Sequence, residues 1–357
     1  MVERADATQS AFRHAAALLA AMVVSGDYAS AVAAVSDGAA TRWCRAVGGT
    51  TAVAPDTIFP LASLTKPLLA VAIMQLVERG LVLLGDPVAA YLPEFGANGK
   101  GGVTVWHLLT HSSGLAEFDD AARAALDGAY MRREPRAAFY AMACALGLDH
   151  PPGVRQRYSR LPWTVVAELI ARVGGRDHPA WLRDELFLPL GMRDTGFAPA
   201  DPARLAREPA ALPALDTPAA WAYRDSLATD LYSTVPDLLA LGRALLGGGP
   251  GGAARVIGAG AVTAMATPQP DLVAAEGDAL RPVTTQGLGW ALRGPRGTLL
   301  GSPRGFGHAG GAGGWLWIDP GYDLVFVLLS NSAGPPQSWG MRLLNACYGA
   351  LDRRDDA

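Results

Sequence analysis

The stretch Phe59-Pro60-Leu61-Ala62-Ser63-Leu64-Thr65-Lys66-Pro67 decides how the fold of this chain is interpreted. It leads into a segment in which apolar residues recur at helical spacing, and this periodicity predicts a helix over residues 63–79. Gly80 follows and predicts the end of that helix. Residues three apart share a helix face, so the Ser63 hydroxyl and the Lys66 amine are expected to be neighbours.

Lysine usage makes Lys66 informative. Only two of the 30 basic residues are lysines, Lys66 and Lys100. A buried lysine can lose its proton and accept one from a serine, whereas an arginine does not deprotonate. A serine at a helix N-terminus also lies where the dipole favours negative charge. Ser-x-x-Lys alone is nevertheless a weak motif, and by itself it more often marks a capping serine with a solvent-facing lysine than a nucleophile with a basic partner. Lys100 lies in a Gly-rich turn and is interpreted as incidental.

The composition excludes several classes of protein. A chain of 357 residues, 50% of them hydrophobic, can form one large domain or two subdomains. The net charge of −3 gives no indication of nucleic-acid binding. The three cysteines are isolated from one another, which predicts neither a zinc site nor a disulfide framework. The sequence contains no run of about 20 apolar residues, so a membrane span is not predicted.

The N-terminal region contains an apolar segment, residues 15–24, that mimics a signal peptide. The preceding residues carry both acidic and basic side chains and are too long and polar for the charged start of such a signal. The pattern therefore favours an amphipathic helix over residues 11–25, and we expect a cytoplasmic protein.

The order of predicted elements indicates an α+β fold. Strands are predicted at 29–36, 40–47, 287–293, 305–308, 315–319 and 324–330, and further helices at 105–109, 161–173, 237–246 and 337–352. Residues 198–218 are expected to form a long surface connection. We therefore expect an antiparallel sheet built from the N- and C-terminal segments, with flanking helices and an all-helical insertion. The chain is treated as a single domain, 1–357, with a sheet subdomain (about 1–60 and 250–357) and a helical subdomain (about 61–249).

The residues around Ser63 resemble the nucleophile segment of class C serine β-lactamases, D-alanyl-D-alanine peptidases and related esterases. Four further motifs match that family in its usual order: Leu108-Leu109-Thr110-His111-Ser112-Ser113-Gly114-Leu115; Pro151-Pro152-Gly153 with Tyr158-Ser159; Leu231-Tyr232-Ser233-Thr234-Val235-Pro236-Asp237-Leu238; and Gly287-Leu288-Gly289-Trp290 before Gly307-His308-Ala309-Gly310. The resemblance covers roughly residues 20–350 and implies a β-lactamase/transpeptidase-like fold.

The resemblance implies a catalytic set of Ser63, Lys66 and Tyr158. Tyr158 would lie opposite the other two and act as general base and later as acid. The backbone N–H groups of Ser63 and Gly311 would form the oxyanion hole. The resemblance also implies a structural role for His111 at a helix end.

The segments that would contact the substrate depart from the family pattern. Arg160 replaces an asparagine; its cation would either repel Lys66 and lower the Lys66 pKa, or swing out and bind a carboxylate. A surface role and a substrate-binding role for Arg160 are equally open. The family's third motif is Lys-Thr-Gly or His-Thr-Gly, whereas here it is His308-Ala309-Gly310. His308 would supply a switchable charge, and Ala309 has lost a hydroxyl. Asp230 stands where small residues are usual and would pair with Arg160 or a substrate amine, or remain a solvated carboxylate.

The functional expectation is a serine hydrolase that forms an acyl-enzyme on Ser63. A small ester or amide is the expected substrate, handled by an esterase or acyltransferase without a cofactor or metal. One alternative is a D-amino-acid peptidase, an amidase or a weak β-lactamase. Another, from a different class, is a non-catalytic ligand-binding protein on the same scaffold. The oligomeric state has no signature in the sequence.

Overall fold

The architecture is given by a computed structural model. It describes residues 10–49, 52–117, 120–132, 134–206, 231–247, 255–269, 273–274, 284–294, 299–332 and 337–352. Asp230, expected near the substrate, lies outside these residues, as does most of the expected surface connection, from residue 207 onward.

A seven-stranded antiparallel sheet joins the two ends of the chain, as expected. Its order is β2-β1-β11-β10-β9-β8-β7. The strands are β1 (Ser30–Ser36), β2 (Thr41–Gly48), β7 (Thr284–Gln286), β8 (Ala291–Arg293), β9 (Phe306–Ala309), β10 (Trp315–Asp319) and β11 (Leu324–Ser330). The N-terminal and C-terminal segments meet where β1 pairs with β11, in a register that sets Ala31 opposite Ser330.

Both faces of the sheet are covered, so its central strands are apolar throughout. In β1, Ala31 and Ala33 face one apolar cluster, while Val32 and Ala34 face the other. This division follows from the two-residue period of a strand. The first cluster lies under α1 (Arg13–Val24) and α11 (Gln337–Asp352), the helices at the two ends of the described chain.

The region between β2 and β7 is mainly helical. Its helices are α2 (Thr65–Glu78), α3 (Val105–Leu109), α4 (Asp120–Met131), α5 (Arg136–Ala145), α6 (Pro162–Gly174), α7 (His178–Leu182), α8 (Leu188–Leu190), α9 (Val235–Gly247) and α10 (Ala259–Met265). Two short two-stranded sheets accompany them, β3 (Phe59–Pro60) with β5 (Tyr232–Ser233) and β4 (Arg155–Gln156) with β6 (Val273–Ala274). Residues 65–76 of α2 are all buried, so this helix is a core element rather than an amphipathic surface helix.

The strand predicted over residues 287–293 is wrong in its first half. Residues 287–290 form the turn between β7 and β8, closed by a hydrogen bond from the Gly287 N–H to the Trp290 carbonyl (2.8 Å). Gly289 has a φ of +76°, and a Cβ there would lie 2.4 Å from the Ala70 Cβ on α2. The glycine therefore serves a left-handed turn and a close approach to a helix, which the strand-like pattern concealed.

The interpretation of Lys100 as incidental is also wrong. Its side chain is fully buried. Nζ donates to the carbonyl of Cys144 (2.9 Å) and to that of Leu146, beside the C-terminus of α5. A cation at a helix C-terminus satisfies carbonyls that lack helical partners and complements the helix dipole. The Gly-rich turn that carries Lys100 brings this cation to the helix end.

In the parts of the chain that the structure describes, every helix is too short or too polar to cross a bilayer.

Candidate active site

The predicted helix around Ser63 starts with a tighter turn than expected. Residues Ala62–Leu64 form one turn of 3₁₀ helix, and α2 begins at Thr65. Ala62 has a φ of +47°, which is unusual for a residue with a Cβ. The Leu61 N–H donates to the Leu231 carbonyl (2.7 Å), and the Leu231 N–H donates to Thr65 Oγ1 (3.1 Å). The neighbouring β5 segment thus holds the turn that presents Ser63.

Two side chains, those of Lys66 and Tyr158, meet at the Ser63 hydroxyl. Lys66 Nζ donates to Ser63 Oγ at 3.0 Å, one helical turn along the chain. The Tyr158 hydroxyl donates to the same oxygen at 2.7 Å. Lys66 Nζ also lies 5.0 Å from the centroid of the Tyr158 ring. The serine oxygen therefore lies within hydrogen-bond distance of two groups that are able to exchange a proton.

The site is closed on one side and open on the other. Lys66 is 1% exposed, surrounded by the core that buries α2. Tyr158 is 39% exposed, although it is a large apolar ring in direct contact with Ser63 Oγ. A small molecule can thus reach the serine past the tyrosine while the amine stays out of bulk water.

His111 holds the loop that carries Tyr158, residues 157–161, which we call the Tyr158 loop. Its carbonyl accepts from the Arg157 N–H (2.9 Å) and its Nδ1 accepts from the Ser159 N–H (3.1 Å). Its ring lies 4.7 Å from the Tyr158 ring, centroid to centroid. Burial lowers the pKa of His111 well below its usual value, with smaller contributions from Lys66 and His308. A neutral, buried His111 is consistent with the structural role that the resemblance implies.

Glu117 holds the same loop from the other end. Its carboxylate accepts from the Arg160 N–H (2.9 Å to Oε1) and from the Leu161 N–H (2.9 Å to Oε2). Arg160 and Leu161 are the two residues before Pro162, the first residue of α6. Their N–H groups therefore have no carbonyl partner within that helix. Glu117 is 4% exposed, so this is a buried carboxylate bound to backbone donors. Sequence reasoning missed this anchor, because the N–H groups that Glu117 binds lie 43 and 44 residues away.

Arg160 turns its cation toward α4. Its guanidinium donates to Asp127 Oδ1 at 2.8 Å, and the two side chains are 36% and 54% exposed. The Arg160 guanidinium therefore pairs with a carboxylate of the protein itself, and the predicted role of Arg160 in substrate binding stays a prediction.

The end of β9 packs against the nucleophile turn, the 3₁₀ turn Ala62–Leu64 together with the preceding Leu61. A Cβ at Gly310 would lie 2.6 Å from the Leu61 carbonyl oxygen, so only glycine permits this contact. The Gly310 N–H donates to the Gly314 carbonyl (2.8 Å), which closes the turn after β9. Gly311 is exposed in that turn, and a Cβ there would meet no protein atom within 4 Å. Open space therefore adjoins the Gly311 backbone beside the nucleophile turn.

His308 lies beside Tyr158 as a neutral group. The two ring centroids are 6.2 Å apart, and His308 Nδ1 lies 2.7 Å from the Ala309 carbonyl oxygen. A carbonyl only accepts, so Nδ1 carries the proton and Nε2 the lone pair. Burial, followed by the charge of Lys66, lowers the pKa of His308 to about 4. The switchable charge expected here is therefore absent near neutral pH.

The structure brings most of the predicted site residues together. Ser63, Lys66 and Tyr158 form one hydrogen-bonded cluster, and the turn after β9 packs beside it. Arg160 belongs to the Tyr158 loop but is bound to Asp127. No group of three or more His, Cys, Asp or Glu side chains within the described ranges is arranged to hold a metal ion.

A family model described as Beta-lactamase matches residues 13–346 of the chain. Among curated proteins, esterase EstB of Burkholderia gladioli is 36% identical over 162 residues, 42% of this chain and 41% of the esterase. The match thus spans less than half of the esterase's own length. Protein Rv1367c of Mycobacterium tuberculosis is 31% identical over 325 residues, 77% of each chain. Other relatives include a penicillin-binding protein and a D-alanyl-D-alanine carboxypeptidase/endopeptidase.

The fold is shared with solved structures. A penicillin-binding protein homologue from Caulobacter crescentus superposes with a TM-score of 0.77 at 23% identity, and the alignment covers 97% of both chains. At this identity the superposition shows that the two proteins share an architecture, and no more.

Proposed function

Since this chain belongs to the β-lactamase family of serine hydrolases, we propose that it is an esterase or acyltransferase that forms an acyl-enzyme on Ser63. One observation carries the proposal: Ser63 Oγ lies 3.0 Å from Lys66 Nζ and 2.7 Å from the Tyr158 hydroxyl. A serine used only for helix capping has no need of two proton-exchanging neighbours at hydrogen-bond distance.

The proton of Ser63 passes to the Lys66–Tyr158 pair as Oγ attacks the substrate carbonyl. The pair must be short of one proton, held either as a phenolate beside an ammonium or as a phenol beside an amine. The tetrahedral intermediate then expels its alcohol, which takes the proton from Tyr158. Water or another alcohol attacks the acyl-enzyme by the reverse sequence, and the choice of acceptor separates hydrolysis from transfer.

The developing oxyanion is assigned to the backbone N–H groups of Ser63 and Gly311. Among the residues that the structure describes, the Gly311 N–H has no hydrogen-bond partner, and open space lies beside it. Fixed N–H donors next to a nucleophile stabilise negative charge better in the transition state than in the ground state.

The surroundings of Ser63 favour an uncharged acyl group. His308 is neutral, Ala309 has no hydroxyl, and the Arg160 guanidinium is engaged by Asp127. A β-lactam or a D-peptide terminus presents a carboxylate, which requires a fixed cation or several donors to leave water. We therefore assign small neutral esters to this site, ahead of a D-amino-acid peptidase, an amidase or a weak β-lactamase.

The test is the acylation of Ser63 followed by intact-mass spectrometry. The protein is treated with a fluorophosphonate, with p-nitrophenyl acetate and butyrate, with a D-alanyl-D-alanine peptide and with a cephalosporin. We expect one covalent adduct with the first three probes, and none in Ser63→Ala. The ester kcat/KM should exceed those for the two carboxylate-bearing substrates by at least about 100-fold.

Two outcomes would contradict the proposal. Absence of any adduct, with ester turnover unchanged in Ser63→Ala, would indicate a non-catalytic binding protein. Faster acylation by the D-peptide or the cephalosporin than by the esters would overturn the assignment of a neutral substrate and favour the peptidase or lactamase alternative.

A further inference from the structure

We propose that Glu117 is a positioning residue for catalysis, which fixes the Tyr158 hydroxyl against Ser63 by anchoring the backbone on the far side of the Tyr158 loop. The inference rests on the proposed role of Tyr158 in proton transfer. Glu117 belongs neither to the nucleophile pair nor to the residues beside the substrate space.

The anchor is built from two N–H groups at the start of a buried helix. The Arg160 and Leu161 N–H groups donate to separate oxygens of the Glu117 carboxylate, each at 2.9 Å. The second oxygen also lies 3.2 Å from the Arg160 nitrogen. Hydrogen bonds from backbone N–H groups to an ionised carboxylate are stronger than neutral ones, and burial raises the cost of breaking them.

The anchor lies two residues from Tyr158 along the chain. On the near side, the loop is held by His111, through the Arg157 and Ser159 N–H groups. Glu117 completes the restraint at Arg160 and Leu161, so the loop is fixed at both ends. Tyr158 itself is 39% exposed, and its ring contacts His111, His308 and Lys66. The restraint of the backbone on both sides therefore acts together with these ring contacts to determine where the hydroxyl lies.

Position matters here because proton transfer requires hydrogen-bond distance. The Tyr158 hydroxyl lies 2.7 Å from Ser63 Oγ. A displacement of about 1 Å is enough to lower a catalytic rate about 100-fold. Removing the carboxylate would free the Arg160 and Leu161 N–H groups, and the loop would shift until water or another acceptor satisfied them.

The experiment is a double-mutant cycle between Glu117 and Tyr158. With p-nitrophenyl butyrate, Glu117→Ala should lower kcat about 10- to 100-fold with KM changed less than about threefold. Glu117→Gln keeps the side-chain shape and one hydrogen-bond acceptor, so its kcat should fall only about 3- to 10-fold. This variant allows the measurement to be made if Glu117→Ala unfolds. In a Tyr158→Phe background, each substitution should cost less than about twofold, because the hydroxyl that it positions is gone.

The cycle separates the two claims. If Tyr158→Phe alone leaves kcat unchanged, the proposed role of Tyr158 is wrong. If Tyr158→Phe is severely impaired but Glu117→Gln costs the same factor in both backgrounds, Glu117 supports the fold without positioning the hydroxyl, and this inference is overturned. Thermal unfolding of each variant, recorded alongside, confirms that the kinetics are measured on folded protein.

Asp127 provides a matched control. It also binds Arg160, but through the guanidinium and at an exposed position. Exposed ion pairs contribute little, so Asp127→Ala should change kcat less than about twofold in either background. A loss as large as that of Glu117→Ala would indicate that the Arg160 side chain, and not the backbone anchor, sets the position of Tyr158.

Discussion

The two lysines of this chain lie in two differently built sites. Lys66 is 1% exposed and Lys100 is fully buried, so both ammonium groups have left bulk water. Lys66 Nζ donates to a hydroxyl, that of Ser63, and faces the Tyr158 ring. Lys100 Nζ donates to two backbone carbonyls at the end of α5 and lies 5.5 Å from the Phe95 ring centroid.

The difference shows that burial of a lysine does not by itself identify a catalytic site. A carbonyl oxygen accepts a hydrogen bond but has no proton to give. The Lys100 site can therefore stabilise the end of α5 but cannot exchange a proton with its partners. Hydroxyl groups both give and receive protons, and the Lys66 site opens to solvent past Tyr158. Both lysines of this arginine-rich chain thus lie in closed spaces, which the compact head group of a lysine fits better than a guanidinium does.

The largest expected effect is on turnover. Lys66→Met should lower kcat/KM for a p-nitrophenyl ester about 1,000-fold, because one half of the proton-transfer pair is removed while the core is filled by a side chain of similar length. Lys100→Met should retain turnover within about twofold. Comparable activity in the two variants would remove the functional distinction between these sites.

The pH dependence of stability should differ between the same two variants. The pKa of His308 is about 4 in the folded protein, below its ordinary value near 6.5. The unfolded chain therefore binds a proton first as pH falls, and stability is lost between about pH 6.5 and pH 4, by up to about 3 kcal/mol from this group.

His111 shifts in the same direction, and Lys66 contributes to both shifts. In Lys66→Met the loss between pH 7 and pH 4.5, measured by urea unfolding, should therefore be smaller than in the unsubstituted protein. Lys100→Met should retain the full loss. An equal pH slope in both variants would show that Lys66 exerts no charge effect on the two histidines.

The smallest expected effect is the structural cost of Lys100. Lys100→Met should lower the free energy of unfolding at pH 7 by about 2 kcal/mol, because the Cys144 and Leu146 carbonyls lose a charged donor. Urea unfolding measures this change. Unchanged stability would mean that the α5 terminus finds other donors and that Lys100 is incidental after all.

Local regularities could be predicted from the sequence. The strands at 315–319 and 324–330 and the final helix at 337–352 agree with the structure at both ends. Their bounds follow from hydrophobic periodicity and flanking glycines, which act over a few residues. The strand predicted from residue 287 was wrong in its first half, because the same Gly-rich pattern that ends strands also forms the turn between them.

The contact between Ser63 and Lys66 follows from local sequence, since a three-residue spacing on a helix makes neighbours of any two side chains. The surroundings of that pair, in contrast, come from tertiary packing. The Tyr158 hydroxyl reaches Ser63 across 95 residues of sequence, Glu117 anchors the loop behind it, and burial makes His308 neutral. Such contacts depend on how distant segments pack and on how much water remains between them, and neither is encoded in local spacing.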